Sequence, residues 1–183
     1  AITTVVFNRS ALLFAGEDGV AAVSIIMYLQ FLCIGIYFGF SMGLSTPLGY
    51  AYGDRNFSVC RVLEKYAYRF FAIAPIILYG CTYLLTPIGV RFFASPGSTV
   101  FDMAVSGLRL YGLGFLFSGI NIFAAIRMMT YGKGYISGMI TFLRSFALLL
   151  LFLTVLPRFL ELNGIWLAVP AAEILTLIVA LWT

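Results

Sequence analysis

The sequence predicts an all-α, polytopic membrane protein, a bundle of six transmembrane helices with no soluble domain. Three observations carry that prediction. Of 183 residues, 62% are hydrophobic and 10% are charged, whereas about a quarter are charged in soluble domains. Uncharged stretches run from Gly19 to Gly53, from Phe70 to Val90 and from Leu110 to Ile126, and each can supply the roughly 20 apolar residues that cross a ~30 Å hydrocarbon core. The alternating, weakly apolar pattern of a membrane β-barrel is missing. Helices are then the way to satisfy the backbone in lipid, where each unpaired polar group costs several kcal/mol.

Taken in order, residues 1–15 form a partial first span that ends at the polar turn Gly16-Glu17-Asp18-Gly19. The second helix covers 20–45 and is expected to end before Pro47, which has no N–H to continue the ladder, with Gly49 and Gly53 in a loop beyond. Gly35, Gly39 and Gly43 recur every fourth residue of that helix. They form one smooth stripe that predicts close packing of another backbone, as a static seam or as a sliding surface. Phe57 to Arg69 mixes apolar and basic residues and is expected to lie along the membrane surface, reaching its charges to the headgroups.

The third span is 67–90, kinked by Pro75. Ser95-Pro96-Gly97-Ser98 turns the chain into the fourth, 101–129, where Gly107, Gly112, Gly114 and Gly119 repeat the small-residue seam. Tyr131-Gly132-Lys133-Gly134 leads to the fifth, 135–156; a linker from Pro157 to Asn163 precedes the sixth, 164–183, which holds Pro170. Ala1 enters an apolar segment directly and Thr183 stops inside another, so both ends are expected to be cut.

Charge gives the orientation. Arg55, Arg61, Lys65, Arg69, Arg127 and Lys133 gather on one side, which is expected to be cytoplasmic, while Glu17, Asp18, Asp102 and Glu161 lie on the other. The net charge of +4 is therefore a topology signal, and no nucleic-acid partner is implied; the partner is the lipid bilayer. Cys33, Cys60 and Cys81 stand alone and the chain has no histidine. A zinc site of the usual ligands and histidine-based catalysis are excluded. The acid and histidine clusters of an integral-membrane transferase are lacking too, and the chain is not expected to be an enzyme.

Charges at membrane depth are costly enough to mark function by default. Glu173 lies roughly 13 Å of helical rise past Gly164, and Arg144 roughly 15 Å past Gly134 from the opposite side. The two are expected to meet on adjacent antiparallel helices and to pair, with Asn121 within reach. Asn8, in the first segment, is placed for an interhelical hydrogen bond and counted with the same polar set. Arg109, seven residues after Asp102, is expected to form an outer anchor with it. Two readings of Arg144–Glu173 stay open, a fixed brace and an ion or substrate site.

The run Gly16-Glu17-Asp18-Gly19-Val20-Ala21-Ala22, then Gly39-Phe40-Ser41-Met42-Gly43 and Pro47-Leu48-Gly49-Tyr50-Ala51-Tyr52-Gly53, resembles the seventh and eighth helices of multidrug and toxic compound extrusion (MATE) transporters. Ser118-Gly119-Ile120-Asn121, Gly132-Lys133, Leu143-Arg144-Ser145, Asn163 to Ala168 and Ala172-Glu173 are similar to the tenth to twelfth in order and spacing. The resemblance implies that residues 1–183 are the C-terminal lobe of a twelve-helix transporter whose N-terminal lobe is missing here. It further implies a Na⁺ or H⁺ gradient as the energy source, no other cofactor, a small organic cation as substrate, and a bacterial inner membrane. Some branches carry an acid in the first and fourth helices of this lobe. Asn8 stands in the first instead, and the fourth has no carboxylate beyond Asp102. That places the resemblance with the bacterial branch, whose coupling carboxylates lie in the N-terminal lobe. The alternative within the superfamily is a flippase for lipid-linked oligosaccharides, which requires Arg9, Arg109 and Arg144 to converge on a cationic cavity.

Overall fold

The computed structural model describes residues 2–182. Among them every regular element is helical: α1 (Ile2–Gly53), α2 (Phe57–Arg91), α3 (Thr99–Tyr111), α4 (Phe115–Thr130), α5 (Gly134–Phe142), α6 (Leu148–Val155) and α7 (Pro157–Leu181). A 3₁₀ turn, Gly112–Gly114, joins α3 to α4, and a π turn, Leu143–Ala147, joins α5 to α6. The result is five helices long and apolar enough to cross a membrane. The expected six arise because α1 holds two of them.

The polar turn expected at residues 16–19 is a one-residue corner. Gly16 takes φ 62°, ψ −152° and the helix resumes at once in the reverse direction. Reversal is visible at Gly19, where a Cβ would lie 2.8 Å from the carbonyl oxygen of Ala11; in a straight helix residues eight apart are about 12 Å apart. The same corner recurs near the C-terminus. Glu161 takes φ 50°, ψ −128°, and three residues on, a Cβ at Gly164 would fall 2.5 Å from the carbonyl of Leu156. Both corners need a bare backbone at the third position, because the outgoing helix rests directly on the last carbonyls of the incoming one. The expected linker from Pro157 to Asn163 is thereby replaced by helix up to Glu161. Pro157 is tolerated as the first residue of its segment, where no N–H is needed.

Two further boundaries differ from expectation. The second arm of α1 does not stop near Ser45 but runs through Pro47 to Gly53. Proline forfeits only its own bond to the carbonyl four residues back, and the flanking turns carry the helix on. Phe57 to Arg69 is not a separate surface helix either; it is the first third of α2. Asn56 caps α2 by accepting from the Val59 N–H at 3.3 Å, and the turn back from α1 needs only Asp54, Arg55 and Asn56. Ala1 and Thr183 lie outside the described residues.

The α3–α4 pair runs through the middle of the bundle, with 67% of its most apolar window buried against 11% for α5–α6. Its glycines make that position possible. A Cβ on Gly107 would meet the Trp166 ring at 2.8 Å, and one on Gly119 the Phe71 ring at 2.7 Å. The main core is therefore aromatic and small-residue, with Trp166, Tyr37, Phe71, Phe115 and Phe123 fully buried around it. The Tyr37 hydroxyl donates to the Phe115 carbonyl at 3.0 Å, tying α1 to α4 inside the core.

Candidate functional site

Three helices bring one charged cluster together. Glu173 sits on α7 roughly 18 Å of helical rise past the Glu161 corner, Asn121 on α4, and Arg144 within the π turn. A π turn forfeits regular α-helical bonding and is frequent at functional sites. Here it carries the one basic residue of its helix. The guanidinium of Arg144 engages both carboxylate oxygens of Glu173, Nη2 to Oε1 at 2.5 Å and Nε to Oε2 at 3.3 Å. This is the two-pronged geometry that makes arginine–carboxylate pairs strong. Asn121 Nδ2 donates to Oε2 of the same carboxylate at 2.7 Å and to the Glu173 carbonyl at 2.9 Å. The side chains of Arg144 and Glu173 are only 13% and 6% exposed.

The carboxylate is thus shared by a cation and an amide in a place from which water is nearly excluded. The Oδ1 atom of Asn121 is buried with no hydrogen-bond partner, an acceptor left free beside the charge pair. The cluster faces a cavity of about 240 Å³ whose polar lining is Thr3, Gln30, Tyr111, Ser118, Arg144, Ser145 and Glu173. Across it the Tyr111 hydroxyl donates to Gln30 Oε1, joining α3 to the second arm of α1.

The structure brings Arg144, Glu173 and Asn121 together as the depth count predicts. Asn8 does not join them. It lines a groove at the Gly16 corner with Arg9, Glu17 and Ser24, and its Oδ1 is buried and unpartnered. Gly35, Gly39 and Gly43 also depart from expectation, since a Cβ at any of the three meets nothing within 4 Å. Their stripe faces outward in this lobe, and the seam forms on α3–α4 instead. Arg109 does not pair with Asp102; its guanidinium lies 4.5 Å from the centre of the Tyr83 ring.

Two groups of site residues escaped the sequence reading. Tyr111 belongs to the cavity, and no signal in an apolar helix marks it. Its partner Gln30 did not escape: it is the only amide side chain between Asn8 and Asn56, the sequence alone offers it as a cavity-lining candidate, and it lines this cavity. The second group lies at the far end of the bundle. Glu64 on α2 accepts from the Tyr131 hydroxyl at 2.9 Å and stands 3.7 Å from Arg127. Arg127 also donates to the Tyr68 hydroxyl. Burial, and then the bond to Glu64, push the Tyr131 phenol up from its ordinary value, so it keeps its proton and remains the donor. This latch ties α2 to the end of α4. Among the described residues no group of three metal-ligating side chains comes together.

This geometry can be set beside known proteins. No curated protein matches the chain by sequence. Solved structures match its fold. An outward-facing multidrug resistance MATE family transporter of the MOP superfamily aligns over 99% of this chain at 22% identity with a TM-score of 0.89. A MOP superfamily transporter from Pyrococcus furiosus, described as having a binding pocket of reversed polarity, gives the same values. A MATE transporter from Vibrio cholerae aligns over 99% at 20% identity with a TM-score of 0.88. The chain spans about 41% of the length of each of these chains. A family model, MatE, matches residues 2–156, from the first arm of α1 to the end of α6. Matched over most of its length by that model, the chain is a member of the MatE family of membrane transporters.

Proposed function

We propose that this chain is one lobe of a cation-coupled antiporter that exports small organic cations by alternating access, driven by a Na⁺ or H⁺ gradient across a bacterial inner membrane. The observation that carries the proposal is the single carboxylate of Glu173, held by both Arg144 and Asn121 at the edge of a polar cavity. A carboxylate with one cationic partner is a competitive site. A proton or a hard cation arriving at Glu173 takes the place of the guanidinium, and Arg144 is released. The free Asn121 oxygen and the cavity oxygens of Gln30, Ser118 and Tyr111 supply the neutral donors such a cation needs. Binding then favours whichever arrangement of the helices lets Arg144 turn away, which is how differential affinity becomes a shift between two states.

The flippase alternative needs three arginines around one cavity. Arg144 is committed to Glu173, Arg109 lies over Tyr83, and Arg9 lines the corner groove beside Glu17; their separation weighs against it. The test is ethidium efflux from cells producing the natural full-length polypeptide. Export that collapses when the ion gradient is dissipated is the expected result. Exchanging the pair, Arg144→Glu with Glu173→Arg, should restore assembly without restoring efflux; recovery of both would reduce the pair to a brace.

A further inference from the structure

The first third of α2 carries charge that the rest of the bundle does not answer. Arg61, Lys65 and Arg69 follow one another at four-residue spacing, so they share one face of the helix. All three are exposed. Among the described residues no carboxylate lies within ion-pair distance of any of them. Glu64, the acid best placed to neutralise the face, is taken by Arg127 and Tyr131. The face carries a shallow, wide-open groove lined by Arg61, Lys65, Arg69, Glu64 and Tyr68.

Its depth says what belongs in it. The uncharged part of α2, Phe70 to Val90, spans roughly 31 Å and fills the hydrocarbon core. Arg69 therefore stands at the boundary, with Lys65 about 6 Å and Arg61 about 12 Å beyond it. The headgroup layer extends some 5–8 Å outward from that boundary, so the groove begins where lipid phosphates lie. Half-exposed Tyr68, at 40%, and Tyr66, at 61%, stand at the same level, where aromatic side chains with polar tips favour the interface. A soluble anion has no reason to be held at this depth.

We propose that this face of α2 is a binding site for the phosphate headgroup of an anionic phospholipid in the leaflet that meets the N-terminal end of the helix. Arg69 forks the phosphate oxygens at the boundary, Lys65 adds a compact charge at the headgroup level, Arg61 adds attraction from just beyond it, and the lipid tails run down the apolar part of α2 beside exposed Ile73 and Ile76. The latch supports the site, because Glu64 is part of the groove wall and its charge is offset there by Arg127 and the Tyr131 hydroxyl.

The experiment is native mass spectrometry of the natural full-length polypeptide, titrated with phosphatidylglycerol against phosphatidylcholine. Wild type should retain phosphatidylglycerol selectively. Arg61→Gln with Lys65→Gln and Arg69→Gln should bind it roughly 100-fold more weakly, about fivefold for each charge removed. The single replacements keep the test open should the triple variant fail to assemble, and Arg61→Lys with Arg69→Lys, which keeps the charge but loses the fork, should bind less tightly than wild type and more tightly than the triple variant. Arg91→Gln, at the opposite end of α2, should change nothing. Equal retention of both lipids, an effect of Arg91→Gln as large as that of the triple variant, or displacement of the lipid by millimolar inorganic phosphate would each overturn the proposal.

Discussion

Replacing Glu173 with glutamine changes almost nothing in shape. Asn121 Nδ2 still finds an oxygen in place of Oε2, and its bond to the Glu173 carbonyl, at 2.9 Å, is untouched. What is lost is the negative charge opposite Arg144, whose side chain is only 13% exposed. Breaking a buried pair from one side typically costs about 3–5 kcal/mol, because the remaining charge is left without compensation. For a lobe of this size unfolding as its own unit, each kcal/mol moves the unfolding midpoint by roughly 2–4 °C, so Glu173→Gln is expected to lower the Tm of that unit by roughly 6–20 °C. The double variant Glu173→Gln with Arg144→Met carries no charge at all and should recover to within about 1–2 kcal/mol of wild type, regaining roughly 2–3 kcal/mol of what either single replacement, Glu173→Gln or Arg144→Met, costs alone. Thermal unfolding of the detergent-solubilised full-length polypeptide, followed by size-exclusion chromatography, measures all three. If the two single effects simply add in the double variant, the pair is not desolvated in the working molecule and the reasoning from burial fails.

The corners make a paired prediction: Glu161→Gly removes a side chain from a backbone with φ 50° and should stabilise by about 1 kcal/mol, whereas Gly164→Ala drives a methyl into the Leu156 carbonyl and should prevent assembly, as judged by monodispersity after solubilisation. On the helices, Gly107→Ala and Gly119→Ala should each cost about 1–3 kcal/mol through overpacking against Trp166 and Phe71, while Gly39→Ala should be neutral or raise Tm of the isolated lobe slightly through helix propensity. In the latch, Tyr131→Phe deletes the bond to Glu64 and should cost about 1 kcal/mol, with proteolysis at the Gly132-Lys133 turn rising in step.

The fold class was legible because composition and span length are governed by the bilayer alone, and the Arg144–Glu173 meeting was legible because helical rise converts sequence position into depth. Depth says nothing about rotation around the helix axis, which is why Asn8 was counted with a cluster it does not join. The glycine stripes teach the same point. Gly35, Gly39 and Gly43 have the more regular spacing, yet Gly107 and Gly119 take the ring contacts, since packing depends on which helix stands opposite, and that is a property of the assembled bundle. The corners escaped for a different reason. Gly16-Glu17-Asp18-Gly19 has the composition of a loop, and only the backbone shows that its second glycine serves contact with Ala11 instead of freedom. The π turn at Arg144 has no compositional mark, because its residues, Leu143 to Ala147, all propagate an ordinary α-helix.

The long helices have a thermodynamic consequence. The rings of Phe40 and Phe70 stack at 3.8 Å level with the boundary set by the apolar part of α2, and beyond them α1 and α2 continue together. There Leu48, Ala51 and Cys60 form a small core of their own, flanked by Leu63 and Tyr131. Within the bilayer, burying a side chain against another helix merely exchanges lipid for protein, so the main core is held by packing and hydrogen bonds. The small outer core exchanges water for protein and is held by the hydrophobic effect. One chain is thus assembled in two solvents, and the two parts respond differently to conditions: urea and cold act on the protruding end first, leaving the membrane-embedded helices in place.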